Sequence, residues 1–294
     1  MLGVAQLRGA LGRPPYLAPL AVCLLLGCAR SESGPRPTGT VAARAFNARG
    51  FRWRVIELPE QGLRLYMQRH TAADESSDAI VDSVVRAQND VLALVEEPAV
   101  PTTKVGPREG RPPGEAALFF LGSRAEMQRL SGRPLSGFVQ PGEATAFFVS
   151  APGYRAPLRH ELAHLYTLER WGRPAAGEAA TWLVEGLGAW AGGPCQGQSP
   201  DALAAGLLLR GALPPVAELA ARFRALPEEV AMPAAGSLIQ FLYTHEGISG
   251  LRGRWHSELG RALPDSATEA AWRAYVGSVR PGALDITRVM QEGC

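Results

Sequence analysis

The most informative segment of this 294-residue chain reads Arg159-His160-Glu161-Leu162-Ala163-His164. Apolar residues recur at helical spacing from 158 to 171, so the segment predicts an amphipathic helix. Histidines four residues apart lie one above the other on a helix face, about 5–6 Å apart at Cβ. That spacing suits a single Zn²⁺ ion, which accepts neutral imidazole nitrogen at about 2.0–2.1 Å. The pattern therefore predicts a metal site on His160 and His164.

Glu161 is the candidate for a catalytic role beside this pair. It follows the first histidine directly and is poorly placed to share the ion, but it can reach a metal-bound water and accept its proton. A structural zinc site favours cysteine and four protein ligands, whereas a catalytic site keeps three ligands and one position for water. The sequence therefore favours a catalytic centre with Glu161 as general base.

A third ligand is expected from the next predicted helix, which contains Trp182-Leu-Val-Glu185-Gly-Leu-Gly-Ala-Trp190. The third histidine of the metzincin pattern is excluded, because Thr167 and Arg170 occupy the positions that need glycine and histidine. Glu185 is the one acid in an apolar stretch, and burying a carboxylate is costly unless it is paired or metal-bound. Glu178 is the alternative, although the helix dipole alone explains an acid near a helix N-terminus.

Small and aromatic residues of the same helix predict how it packs. Gly186, Gly188 and Ala189 would let it approach the helix of the histidines closely. Trp182 and Trp190 are expected in the core rather than in contact with a substrate.

Together these segments resemble the gluzincins, the thermolysin-like zinc metallopeptidases, and more closely the bacterial peptidase MA-like family. Residues 236–247 resemble the helix that such proteins carry after the metal site. The resemblance implies a thermolysin-like fold and one Zn²⁺ per chain, bound by His160, His164 and Glu185. It also implies that Glu161 is the base and that the substrate is a peptide or protein.

The resemblance also concerns the strand predicted at 144–150, just before the metal helix. In gluzincins, the strand in this place is a sheet edge that pairs with an extended peptide substrate. Phe147-Phe148-Val149, followed by Pro152-Gly153, could present such an edge. An ordinary buried strand is the alternative, because both aromatic residues suit one.

Two departures from the family pattern concern the surroundings of the metal. Val184 precedes Glu185 where thermolysin has asparagine, and Gly188-Ala189 occupy the region of its Ser-Asp, so the partner that normally orients a histidine is missing. Met232-Pro233 replace a tyrosine that related proteins often carry. The group that stabilises the tetrahedral intermediate is therefore unassigned. The main candidates are Tyr243 and His245, and two further candidates are Tyr166 and Tyr154. Tyr243 could instead be a core aromatic residue, and His245 a cation at a helix C-terminus.

The remaining pattern predicts the α+β class. Alternation at 51–56 and 63–67 predicts a β-hairpin, followed by a helix at 78–97, a loop at 98–114, a strand at 116–122 and a helix at 124–130. After 157 the chain is helical. We expect a mixed α/β half with a small sheet at 51–157, an all-helical half at 158–294, and the zinc site at their junction. The expected helices span about 158–171, 179–192, 201–210, 216–225, 234–246, 249–261 and 267–276.

The N-terminus predicts export. Residues 1–27 combine a positive start with a short apolar stretch, too short to span a bilayer as a helix. They end in Leu25-Leu26-Gly27-Cys28, which resembles the lipobox of bacterial lipoproteins and implies acylation of Cys28. A plain secretory signal is the alternative. Residues 28–50 are expected to form a flexible tether, so the protein would face the periplasm or the cell surface from a bacterial membrane.

Composition excludes some partners. The net charge of +2 argues against nucleic acid, since phosphate binding needs a basic surface. Of the 4 cysteines, Cys195 and Cys294 could pair in an oxidising compartment. The sequence thus predicts a membrane-tethered zinc metallopeptidase. The alternative is a non-catalytic surface lipoprotein that binds zinc or a partner; a serine hydrolase is not favoured, because the chain has no Gly-x-Ser-x-Gly elbow.

Overall fold

A mixed β-sheet packed against helices is seen in the computed structural model, which describes residues 39–96, 116–140, 142–258 and 262–292. Several predictions fall outside these residues. They are the signal peptide at 1–27, the lipidation site Cys28, the loop at 98–114, and Cys294.

The predicted β-hairpin is confirmed. β1 (Trp53–Leu58) pairs antiparallel with β2 (Leu63–Gln68). A 3₁₀ turn at Pro59–Gln61 joins them and ends at Gly62, whose φ of 63° lies in the left-handed region that favours glycine.

Three more strands complete the sheet. β3 (Ala116–Leu121) lies parallel to β2, and β5 (Thr145–Val149) lies parallel to β3. Both strands were predicted. β4 (Gly137–Gln140) pairs antiparallel with the outer side of β5, which gives the order β1-β2-β3-β5-β4.

This order corrects the expected edge strand. β5, at 145–149, is internal because β4 covers its outer side, and β4 itself is the edge that packs against the metal helix. β4 was missed because four residues are too few to establish a period-two pattern. The buried-strand alternative for 144–150 is therefore the correct one.

Both faces of the sheet are covered. Phe120 and Phe148 stack 5.0 Å apart and point into the larger core, beside α3 (Ser77–Val95), which follows the one-turn helix α2 (Ala72–Glu75). On the opposite face, residues of β3 and β5 pack against α4 (Arg124–Ser131) in a second cluster.

The second cluster also includes α1 (Thr40–Phe46), which lies inside the segment 28–50 that was expected to be a flexible tether. Ala42 and Ala45 are buried, and Phe46 packs edge-to-face on an aromatic ring of β2. The folded part therefore begins before residue 50, because small and apolar side chains on one face of this short helix bury against the sheet.

The second half of the described chain is helical, as predicted. The helices are α5 (Leu158–Trp171), α6 (Thr181–Gly192), α7 (Pro200–Leu209), α8 (Val216–Arg222), α9 (Glu228–Trp255), α10 (Ser266–Ser278) and α11 (Ile286–Glu292). A 3₁₀ turn at Gly177–Ala180 leads into α6, and another at Phe223–Ala225 follows α8.

α9 differs from the prediction at its start and agrees at its kink. The expected helix start at residue 234 is wrong, because the helix begins at Glu228 and runs through Pro233. Pro233 has no N–H to donate to the carbonyl of Glu229 one turn earlier, but Glu229 is exposed, so water can hydrate that carbonyl. The predicted break before residue 249 is confirmed at Gly247, where φ is 67°.

The α+β class is confirmed, and one core joins the two halves. Leu65 and Phe148 of the sheet belong to the same buried cluster as Leu162, Trp182 and Leu238 of the helices. The described residues lie within one compact unit. Within the described ranges, no helix is both long enough and apolar enough to cross a bilayer.

Candidate metal centre

α5 and α6 lie side by side and carry the predicted ligands. α5 is held between α3 and α6 by Leu162, Ala163 and Leu165, all of which are buried. Because these residues anchor one side of the helix, the imidazoles of His160 and His164 are presented on another side, towards α6.

The structure brings the three predicted ligands together. The Nε2 atoms of His160 and His164 lie 2.9 Å apart. Oε2 of Glu185 lies 3.5 Å from Nε2 of His160 and 3.4 Å from Nε2 of His164. Ligand atoms around a tetrahedral Zn²⁺ with bonds of about 2.0–2.1 Å are separated by roughly 3.3 Å. The spacing and the two-nitrogen, one-oxygen donor set fit a zinc ion.

Glu178, the alternative third ligand, is placed elsewhere. It lies in the exposed turn before α6, with 89% of its side chain accessible, and its carboxylate pairs with Arg224 at 3.3 Å. Among the described residues, the grouping of metal-binding side chains consists of His160, His164 and Glu185.

Glu185 is held in its charged form. Burial on its own would raise the pKa of this carboxyl, but hydrogen bonding and charge attraction from His160 and His164 outweigh burial and lower the pKa well below its usual range. An ionised carboxylate beside two imidazole nitrogens is the state in which it can bind a cation.

Glu161 has the opposite electrostatic character. Only 7% of the residue is exposed, and burial raises the pKa of its carboxyl to about 7. Charge attraction from His160 opposes this rise, whereas repulsion from Glu185 adds to it. Two carboxyls in one site therefore have pKa values moved apart by their surroundings, the arrangement that separates a ligand from a base.

The close approach of α6 to α5 depends on Gly188. A Cβ atom at this position would lie 2.7 Å from Cε1 of His160 and 2.8 Å from Cε1 of His164, closer than real Cβ contacts. The two other small residues face α9 instead: a Cβ at Gly186 would lie 2.8 Å from Ile239, and Ala189 packs near Gly236. Gly188 alone of the three therefore fulfils the predicted role.

Nδ1 of His164 is buried and has no hydrogen-bond partner among the described residues. A metal-binding histidine usually donates its second ring N–H to a carboxylate or carbonyl, which fixes the ring. This agrees with the sequence, in which Val184 and Gly188-Ala189 stand where thermolysin has the residues that orient a histidine. Packing on α6 therefore replaces a hydrogen bond in holding this imidazole.

The two main candidates for stabilising the tetrahedral intermediate, Tyr243 and His245, have contacts with residues other than the three proposed zinc ligands. Tyr243 packs on Trp190 of α6, with ring centroids 4.6 Å apart. His245 is exposed, and its Nδ1 lies 2.8 Å from the carbonyl of Phe241 one turn earlier. That position, just before the kink of α9, matches the alternative role of a cation at a helix C-terminus.

The two further candidates also have partners elsewhere. The hydroxyl of Tyr166 accepts a hydrogen bond of 2.7 Å from Gln88 of α3, and burial raises the pKa of this phenol to about 12. The hydroxyl of Tyr154 accepts one of 3.0 Å from Arg124, and its ring packs with the cluster on the far face of the sheet.

β4 contributes a residue that sequence reasoning missed. Gly137 lies directly against Glu161, and a Cβ atom there would lie 2.9 Å from Cγ of that side chain. The only sequence signal was the short run Gly137-Phe-Val-Gln140 before a Pro-Gly turn.

The C-terminal segment returns towards the loops that flank the site. Cys195 is disulfide-bonded. The next residue, Gln196, exchanges two hydrogen bonds with the backbone of Asp285, of 2.9 and 3.0 Å, and the backbone N–H of Arg155 donates to the carbonyl of Glu292 at 2.8 Å. The pairing of Cys195 with Cys294 stays a prediction, since Cys294 lies beyond the described ranges.

Comparisons with known proteins returned no match, either to a model of a protein family or to a curated protein.

Proposed function

We propose that the protein is a zinc-dependent metallopeptidase of the gluzincin type, with a thermolysin-like fold. The observation that carries the proposal is the convergence of His160, His164 and Glu185, with the buried carboxyl of Glu161 beside them. Three protein ligands with a fourth position open to water are typical of catalytic rather than structural zinc.

The metal and the base have separate tasks. Held by His160, His164 and Glu185, a Zn²⁺ ion would supply Lewis-acid polarisation of the scissile carbonyl and would make the attacking water more acidic. Glu161 accepts the proton of that water and then donates it to the leaving amine. Burial raises the pKa of this carboxyl in the metal-free protein, and the charge of a bound Zn²⁺ would act in the opposite direction by favouring the carboxylate that accepts the proton.

β4 is the proposed binding edge for the substrate. An extended peptide can add to an exposed sheet edge through main-chain hydrogen bonds. β4 is the edge strand next to α5, and its first residue touches Glu161. A peptide paired with β4 would therefore pass beside the base.

Export and anchoring complete the proposal. Acylation of Cys28 would tether the folded part to a bacterial membrane, with the site facing the periplasm or the cell surface. The near-neutral charge of the chain fits a peptide or protein substrate better than a nucleic acid.

Cleavage profiling of a complex peptide mixture with the full-length protein tests the proposal. Peptide hydrolysis should require zinc, stop when a chelator removes the metal, and return when one equivalent of Zn²⁺ is restored. Zinc bound at one ion per chain without any cleavage would instead support a non-catalytic lipoprotein that binds zinc or a partner.

A further inference from the structure

We infer that Gly137 is a positioning residue for Glu161, because the absence of a side chain at this place on the edge strand gives the carboxylate its room. The inference rests on the proposed function, in which Glu161 is the base. It adds a residue of the sheet to a site otherwise made by two helices.

The alternation of side chains along β4 directs position 137 towards the metal helix. Phe138 stacks on Phe147 at 4.7 Å, on the face of the second cluster. Val139 packs on the opposite face, against the larger core. Since side chains two residues apart share a face, position 137 lies on the same face as Val139 and meets α5.

Glu161 and Pro157 leave no room for a side chain at position 137. A Cβ atom at Gly137 would lie 2.9 Å from Cγ and 3.0 Å from Oε1 of Glu161. It would also lie 2.9 Å from Cγ of Pro157, the residue that precedes α5. Contacts this short do not persist, so a side chain here forces one of these groups to move.

Glu161 is the group that can move. β4 is fixed by its ladder to β5, and the N–H of Val149 donates to the carbonyl of Ser136 at 2.8 Å just before the strand. Pro157 is constrained by its ring and by the start of α5. The carboxylate of Glu161 has three rotatable side-chain bonds, so its displacement relieves the contact at least cost.

Displacement of the base should separate catalysis from metal binding. Among the glycines beside the site, Gly137 meets Glu161, whereas Gly188 meets the two histidines. A shift of about 1 Å in a catalytic group can cost about 100-fold in rate. A side chain at 137 is therefore expected to lower kcat while the zinc ligands keep their places.

The test compares Gly137→Ala with Gly192→Ala in the zinc-loaded, full-length protein. Gly192 is the matched control, because a Cβ there would lie 3.7 Å from Cβ of His160, an ordinary contact. Gly137→Ala should lower kcat on a quenched-fluorescence peptide at least about 10-fold with little change in KM. Its zinc content and the absorption spectrum of its Co²⁺ form should match those of the wild type. Unchanged kcat, an equal loss in Gly192→Ala, or a parallel loss of zinc would overturn the inference.

A double-mutant comparison keeps the test valid if Gly137→Ala folds poorly. In the Glu161→Ala background the side chain that obstructs Cβ is gone, so adding Gly137→Ala should cost less in melting temperature than it does in the wild type. Equal costs in both backgrounds, or failure of both variants to fold, would locate the conflict at Pro157 and overturn the inference.

Binding of acetohydroxamate separates failure of the inference from failure of the proposed function. This small probe would bind the zinc beside Glu161, whose carboxyl interacts electrostatically with the metal site, so Gly137→Ala should weaken its binding several-fold and Gly192→Ala should not. If the wild type cleaves no peptide but this difference is found, the proposed function fails and the positioning role stands. Equal affinity in the wild type and Gly137→Ala would overturn the positioning role.

Discussion

Nε2 of His164 on α5 lies 3.4 Å from Oε2 of Glu185 on α6. The two residues meet because the helices approach each other at Gly188, whose missing side chain leaves room for both imidazoles. The proposed zinc site is therefore a product of helix packing as well as of the histidine spacing. Each feature can be changed separately.

Glu185→Ala is expected to abolish stoichiometric zinc binding, because two imidazoles then remain without the carboxylate. The loss of affinity should exceed the roughly 10–100-fold that removal of an outer partner of a metal ligand costs. Metal analysis after dialysis against a known free zinc concentration measures it. Glu178→Ala is the control and should keep its zinc, since this exposed residue pairs with Arg224. A full zinc content in Glu185→Ala would refute the ligand assignment.

Gly188→Ala is expected to weaken zinc binding by about 10-fold or more, since the added methyl group pushes the imidazoles from their positions. Competition with a chromophoric chelator gives the affinity. Gly192→Ala has room for its methyl group and should bind zinc as the wild type does. Equal affinity in all three proteins would show that the helices can separate at no cost.

Glu161→Gln is expected to change the pH dependence of stability in the metal-free protein. The folded-state pKa of about 7 lies above the ordinary value of 4.5, so the folded wild type binds more protons than the unfolded chain between these values. Stability contributed by this group is full below pH 4.5 and is lost as the pH rises to about 7. The upper bound on the loss is about 3 kcal/mol.

The measurement is urea unfolding of both proteins with a chelator present, across that pH range. Relative to the wild type, the Gln variant should become more stable as the pH rises and then level off above pH 7. A stability difference that does not vary with pH would mean that Glu161 titrates normally in the folded protein.

Cys294→Ser is expected to leave Cys195 with a free thiol, because we predict that these two cysteines form the disulfide in which Cys195 takes part. The hydrogen bonds between Asp285 and Gln196 already bring the C-terminal segment near the Cys195 loop. Loss of the bond should cost about 2–4 kcal/mol of stability. Peptide mapping without reductant identifies the partner, and a link from Cys195 to any other cysteine would contradict the pairing.

The sequence predicted those features whose information is local. His160 and His164 are one helical turn apart, so their spacing alone places both imidazoles on one face. Glu185 could be chosen over Glu178 because a lone acid among apolar residues needs a compensating partner. The hairpin and most helices that follow residue 157 have clear periodicity and were also predicted, whereas α11 (Ile286–Glu292) was not.

Features that depend on contacts between distant segments could not be predicted. Gly186, Gly188 and Ala189 are equally small, and only the placement of α9 shows which of them faces the histidines. β4 is too short for its pattern to be recognised, and its pairing with β5 removes the predicted edge. The proposed role of Gly137 depends on that pairing, so it could not be predicted from the sequence.

Peptide hydrolysis by zinc-loaded Glu161→Gln is the decisive measurement of whether Glu161 is the general base. Glutamine keeps the size of the side chain and leaves His160, His164 and Glu185 unchanged, but it cannot accept a proton. We predict one zinc ion per chain in both proteins and a kcat lower by at least about 100-fold in the variant, as removal of a general base typically costs. Equal kcat at equal zinc content would contradict the assignment of Glu161 as the base, and with it the proposed mechanism.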